Sequence, residues 1–195
     1  MIHLPSEDNS KAEIVEHFGS RLFQVFSYFF FSVEFQKDEE FLEEFTQFPG
    51  PDIRGFGLGI IQSACLHSTL VAIRDLDDFF KPRCPQSRKD DLKASDLGYA
   101  ENLRFLAENE RERINKIIVH STDLAVKNWN TSWDIQELTV KCVSKGLHFL
   151  DWVAANFPAK THSKTLAAAI KCSQLTRMVL KYAARRSGSS APRTG

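Results

Sequence analysis

The segment RERINKIIVHST, residues 111–122, sets Arg113 seven residues ahead of His120, with Asn115 and Lys116 between them. On a helix turning ~100° per residue, seven residues fall about 20° short of two full turns, so both side chains leave one face. Their Cα atoms are then ~10 Å apart along the axis, a gap that a long arginine and an imidazole can narrow onto one ligand. Lys116, four residues before His120, lies close to the same line. This set suits RNA cleavage without a metal. An imidazole titrates near neutrality and can take the 2′-hydroxyl proton or protonate the leaving 5′-oxygen. A guanidinium holds the phosphate and neutralises the charge developing on it. Help of this general acid–base kind is worth ~10²–10⁴ in rate. Two copies brought together in a symmetric dimer supply an acid and a base at once. The same residues also fit a second reading, as polar contacts within a bundle or at a subunit interface.

The elements that must carry these residues are helical. Apolar spacing predicts a first helix over about Ser10 to Phe35, with Leu22, Phe23, Phe26, Phe29, Phe30 and Val33 on its buried face. A short acidic piece, KDEEFLEEF, follows, and FPGPD breaks the chain. A long second helix runs through GIIQSACLHSTLVAIRDLDDFF, KPRCPQSRKDD reads as a loop, and DLKASDLGY as a short turn or helical fragment. The third helix is expected from roughly Glu101 to Lys127, with an apolar stripe of Leu103, Leu106, Ala107, Ile114, Ile117, Ile118 and Leu124. Arg113 and His120 fall on the shoulder of that stripe. Thr131 and Asp134 have capping-box spacing for a fourth helix that ends near Asn156, ahead of Pro158. A fifth helix to about Arg186 is expected to bury Leu166, Ile170, Leu175, Met178, Val179 and Tyr182. The whole is an all-α fold, an up-and-down bundle of about five helices. It forms a single domain over residues 1–186 with a flexible tail over 187–195.

The RNA reading gains from a resemblance. An Arg and a His separated by four to six intervening residues, on a helix of an all-α bundle, mark HEPN domains, and Arg113-x6-His120 falls inside that spacing. NKIIVHST resembles the NK-xx-AH-T segment of uncharacterised and abortive-infection-type bacterial HEPN-like proteins. AIRDLDDFF and RKDDLKASDLG upstream, and the Trp129–Leu138 region downstream, are similar as well, so the likeness spans roughly residues 60–150. Ile114 stands directly after the arginine, where HEPN nucleases keep Asn, Asp or His, and Asn115 follows one place later. The resemblance implies an RNA-directed effector of bacterial stress or phage defence, an endoribonuclease of tRNA or mRNA, needing no cofactor and no metal. It implies a homodimer, with an antitoxin or defence-system protein as a further partner. Arg113, His120 and Asn115 would be catalytic, and Lys116 and Arg74 would bind RNA phosphate. The alternative is a non-catalytic HEPN-like interaction module.

Other constellations carry less. Asp75, Asp77 and Asp78 are carboxylates of the kind magnesium takes. At consecutive helix positions they point apart, and Asp75 and Asp78 are better read as partners for Arg74 or for a basic neighbour. Arg74, seven residues after His67, inverts the Arg/His geometry and reads as interhelical packing, lining the same groove as Arg113. GFGLG, residues 55–59, lacks the strand and the G-K-[ST] of a phosphate loop. Trp129, Trp133 and Trp152 read as core closures ahead of base-stacking platforms.

Composition sets the frame. The 195 residues are 43% apolar with 16 phenylalanines, enough for one aromatic core. Formal charge is zero, which supplies no global attraction to nucleic acid or to an anionic membrane. Its distribution is uneven, because the first 50 residues are acidic and no acid follows Asp151, while Lys164, Lys171, Arg177 and Lys181 accumulate. That polarity reads either as an anionic partner for the C-terminal end or as pairing between the two ends of the chain. Four scattered cysteines form neither a zinc pattern nor a disulfide framework. With no secretory signal and no apolar run of ~20 residues, the expectation is a soluble, cytoplasmic protein away from membranes.

Overall fold

In a computed structural model the chain is described over residues 7–34, 51–84, 91–101, 104–119 and 135–188. These residues form five α-helices: α1 (Glu7–Glu34), α2 (Pro51–Phe79), α3 (Glu108–Val119), α4 (Ile135–Asn156) and α5 (Ser163–Gly188). A 3₁₀ turn, Ala94–Leu97, lies between α2 and α3. No strand occurs among the described residues, so the fold is an all-α bundle. Pro51 opens α2, where its missing N–H costs nothing, and the glycines of GFGLG lie inside that helix. α4 stops two residues short of Pro158. The acidic 37–45 segment and the Thr131–Asp134 cap lie outside the described residues.

α1 is the central element, packed along α2, α5 and α4. Phe18 meets Phe79 of α2 and Phe149 of α4, both at 4.8 Å between ring centroids. Arg21 meets Asp75, and Leu22 meets Gly146. Rising numbers on α1 thus face falling numbers on α2 and α4, and α1 runs antiparallel to both. Against α5 the order is the reverse. Asp8 meets Thr165 and Val15 meets Cys172, so α1 and α5 are parallel. Phe80, Tyr99 and Trp152 extend the aromatic cluster around Phe149. Edge-on pairs such as Phe80–Phe149 and Tyr99–Phe149 contribute ~0.5–1.5 kcal/mol each beyond their buried area. Trp152 is therefore part of the core margin.

Two helix contacts depend on glycine. A Cβ at Gly19 would lie 2.7 Å from Cys172 Cβ, and one at Gly146 would lie 2.7 Å from both Leu22 Cδ atoms. The close approach at Gly19 also corrects the expected inner face of α5. Thr165, Ala168, Ala169 and Thr176 are buried, whereas Ile170, Leu175 and Met178 are exposed. Where two helices come this near, volume decides what fits between them, and small residues displace larger apolar ones. Phe23, expected inside on α1, is exposed as well, while Leu22, Val25 and Phe26 are buried.

One acid of the N-terminal stretch is used internally, as a cap for the last helix. Asp8, in the first turn of α1, accepts hydrogen bonds from the backbone N–H groups of Lys164 and Thr165, each at 3.1 Å, and from the Thr165 hydroxyl at 2.8 Å. A carboxylate from one helix thereby caps the open N–H groups of another. Lys164 Nζ donates to Asn9 Oδ1 at 2.7 Å alongside.

Candidate functional site

The position of α3 depends on one carboxylate. Asp77, near the end of α2, is fully shielded from solvent. Its Oδ1 accepts the backbone N–H groups of Phe105 (2.8 Å) and Leu106 (3.0 Å). Its Oδ2 is bonded by Arg111 Nη2, and Arg104 Nε stands 3.6 Å away. A buried charge must be paired and hydrogen-bonded, and here two cations and two amides meet that demand.

This contact corrects the expected start of the third helix. Residues 104–107 are not helical, because Asp77 takes amides that would otherwise enter a first turn, and α3 begins at Glu108. Glu110 then accepts the Ala107 N–H at 2.7 Å, closing the new N-terminus. Leu106 and Ile114 are buried as the apolar stripe requires, whereas Ala107 is exposed.

The carboxylates of DLDD behave as ion-pair partners. Asp78 lies 3.7 Å from Arg74 on its own helix and 3.4 Å from Arg111 on α3. Asp75 lies 3.6 Å from Arg21 on α1. No group of three or more His, Cys, Asp or Glu residues capable of holding a metal occurs among the described residues. The loop after α2 is tied down nearby. Arg83 donates to both Asp96 oxygens, at 2.8 and 2.9 Å, and the buried Lys93 donates from Nζ to the Asp78 carbonyl at 2.9 Å. Arg83 holds the Asp96 carboxyl below the usual range, against the opposing effect of burial.

The expected site residues divide as follows. Arg113 is half-buried on α3, beside the fully buried Ile114. Lys116 is 3.5 Å from Glu112, one turn earlier on the same helix. Asn115 lies about 200° around the axis from Arg113, so the helix does not bring the two together. Its carbonyl oxygen is buried with no hydrogen-bond partner. Arg74 faces α1 across a cleft whose walls include Arg21, Asp75 and Asp78, and Arg113 is not among the residues that line it. His120, Trp129 and Trp133 lie outside the described residues.

Sequence reasoning missed Asp77 and Arg111 as a unit. Its only trace was an Asp in an otherwise apolar phase of α2, and spacing within one helix cannot identify a partner 34 residues away. The four cysteines, all among the described residues, form no disulfide, and burial pushes the Cys142 thiol upward. No helix among the described residues is long and apolar enough to cross a membrane. No protein-family model, curated protein or solved structure matches the chain.

Proposed function

We propose that the chain is a HEPN-like helical protein that engages RNA along the outer edge of α3, with Arg113 holding a phosphate and His120 moving the proton in a metal-independent cleavage. The observation that carries this reading is the setting of Arg113. Asp77 and Arg111 fix α3 against α2 in a register that buries Ile114 and leaves the Arg113 side chain at the margin between core and solvent. A guanidinium held there by its helix is oriented before any ligand arrives, which lowers the ordering cost of binding. The helical phase that carries Arg113 outward sets Lys116 about 60° from it, one turn further along α3. Asn115, on the opposite flank, takes no part in this step and acts at the packing surface. A role in bacterial stress or phage defence, a homodimer that doubles the site, and an antitoxin-like partner belong to the same proposal.

A second reading, a non-catalytic interaction module, is favoured by one set of contacts. Lys116 pairs with Glu112, and Arg74 with Asp78, each one turn away on its own helix.

Fluorescence anisotropy of a labelled single-stranded RNA, titrated at several salt concentrations, separates the two. The RNA reading expects Arg113→Ala to weaken binding to every sequence alike and to reduce the salt slope by about 0.7. An affinity and slope unchanged by Arg113→Ala would support the interaction module.

A further inference from the structure

Apart from α3, a cleft of about 590 Å³ opens between α1 and α2, bounded by residues of the loop that follows α2. This is within the ~300–1,000 Å³ typical of small-molecule sites. Arg21 approaches from α1, Arg74 and Asp75 from α2, and Lys81 from the loop.

The ion pairs inside it are loose. Arg21 Nη2 stands 3.6 Å from Asp75 Oδ2, and Arg74 Nε stands 3.7 Å from Asp78 Oδ2. Both distances exceed hydrogen-bonding range, and all four side chains are about one-third exposed or more. Partly solvated pairs of this sort contribute little and exchange easily for a better acceptor. Asp78 also keeps a cation if Arg74 turns away, because Arg111 Nη1 lies 3.4 Å from its other oxygen. Burial pushes the Asp75 carboxyl above its ordinary range, although Arg21 and Arg74 pull it down, so its charge is poorly accommodated where it stands. The outer wall is preformed, since Lys93 is bonded to the Asp78 carbonyl and Arg83 to Asp96.

We propose that this cleft binds a small phosphate-bearing anion, with Arg21 and Arg74 turning from Asp75 and Asp78 to fork onto its oxygens and Lys81 adding charge at the mouth. Two planar guanidinium groups on facing helices suit the several oxygens of a phosphate, which accepts paired N–H bonds. The site is separate from the RNA edge of α3 and stands or falls without it. Arg74, expected from sequence to hold RNA phosphate, is assigned here to the small anion.

The test is calorimetric titration of the whole chain at low salt with pyrophosphate and, separately, adenosine monophosphate. Saturable binding of either at or below about 1 mM is expected, and the tighter of the two identifies an inorganic or a nucleotide source. Arg21→Met and Arg74→Met should each weaken it about tenfold, the loss expected for one charge-assisted contact. Arg21→Lys keeps the charge without the fork and should fall between, and it serves if Arg21→Met does not fold. Asp75→Asn should tighten binding by removing the competing carboxylate. Asp151→Asn, an equal charge change on α4, should not. Failure of both probes to bind at about 10 mM would overturn the proposal. So would wild-type affinity in the Arg21 and Arg74 variants, or equal effects of Asp75→Asn and Asp151→Asn.

Discussion

The Asp77 carboxylate and the Arg111 guanidinium meet beneath the surface where α2 ends, and their contact fixes where α3 begins. Asp77 is wholly buried and Arg111 is only 11% exposed, so neither charge has water to fall back on. Asp77→Ala should therefore destabilise the fold by about 3–5 kcal/mol, the range for breaking one side of a buried pair. Arg111→Ala should cost less, because Arg104 and two backbone amides stay with Asp77. Chemical denaturation of both single variants and the double variant measures the coupling. Independent, additive losses would contradict the pairing.

Gly19 and Cys172 mark the closest approach of α1 and α5. Gly19→Ala should cost about 1–3 kcal/mol by overpacking, despite the better helix propensity of alanine. Adding Cys172→Ala removes the sulfur and should recover part of that loss, although Cys172→Ala alone is destabilising. Thermal melts of the four-member cycle check this sign reversal.

The α5 face predicts an unequal tolerance. Met178→Lys, at a side chain 60% exposed, should change stability by no more than about 0.5 kcal/mol. Ala169→Leu, at a position with no exposure, should cost about 1–3 kcal/mol although it adds only hydrocarbon. Denaturation midpoints of the two variants decide whether volume or hydropathy governs this interface.

Acid sensitivity follows from three carboxyls held low. Lys11 lowers Glu7 through its hydrogen bond, and Arg83 lowers Asp96. At Asp8 burial acts upward and is outweighed by the Thr165 hydroxyl and the Thr165 and Lys164 amides. A carboxyl with a depressed folded-state value gives stability that is present above its unfolded value and is lost as pH falls through the folded one. Stability should therefore erode below about pH 4, and Asp8→Ala should flatten that limb. Asp75 is raised and opposes the trend, so Asp75→Asn should steepen it. Urea midpoints measured against pH test both signs.

Much of the fold is legible in local pattern. Pro158 ends α4, the ASDL fragment is a short turn closed by Gly98 at φ 82°, and Asp75 and Asp78 serve as partners for arginines. These features depend on residues within a turn or two, or on charge type alone. What escapes the sequence is set over distance. The start of α3 depends on amides of Phe105 and Leu106 captured by a carboxylate 28 and 29 residues earlier. The inner face of α5 depends on Gly19, which makes small residues fit where periodicity favours Ile170 and Met178. Of the candidate site, the placement of Arg113 beside a buried Ile114 follows from helical phase. The separation of Asn115 from Arg113 follows from the same phase, and grouping residues by closeness in sequence conceals it.

Under the proposed function Arg113 and His120 act together on RNA. The most direct measurement is the initial rate of cleavage of total RNA or tRNA in EDTA by the wild-type chain, Arg113→Ala and His120→Ala, each first shown to be folded by circular dichroism. Cleavage without metal is expected, reduced ~10²–10⁴-fold by His120→Ala and ~10²–10³-fold by Arg113→Ala. Cleavage that persists undiminished in both variants would contradict it.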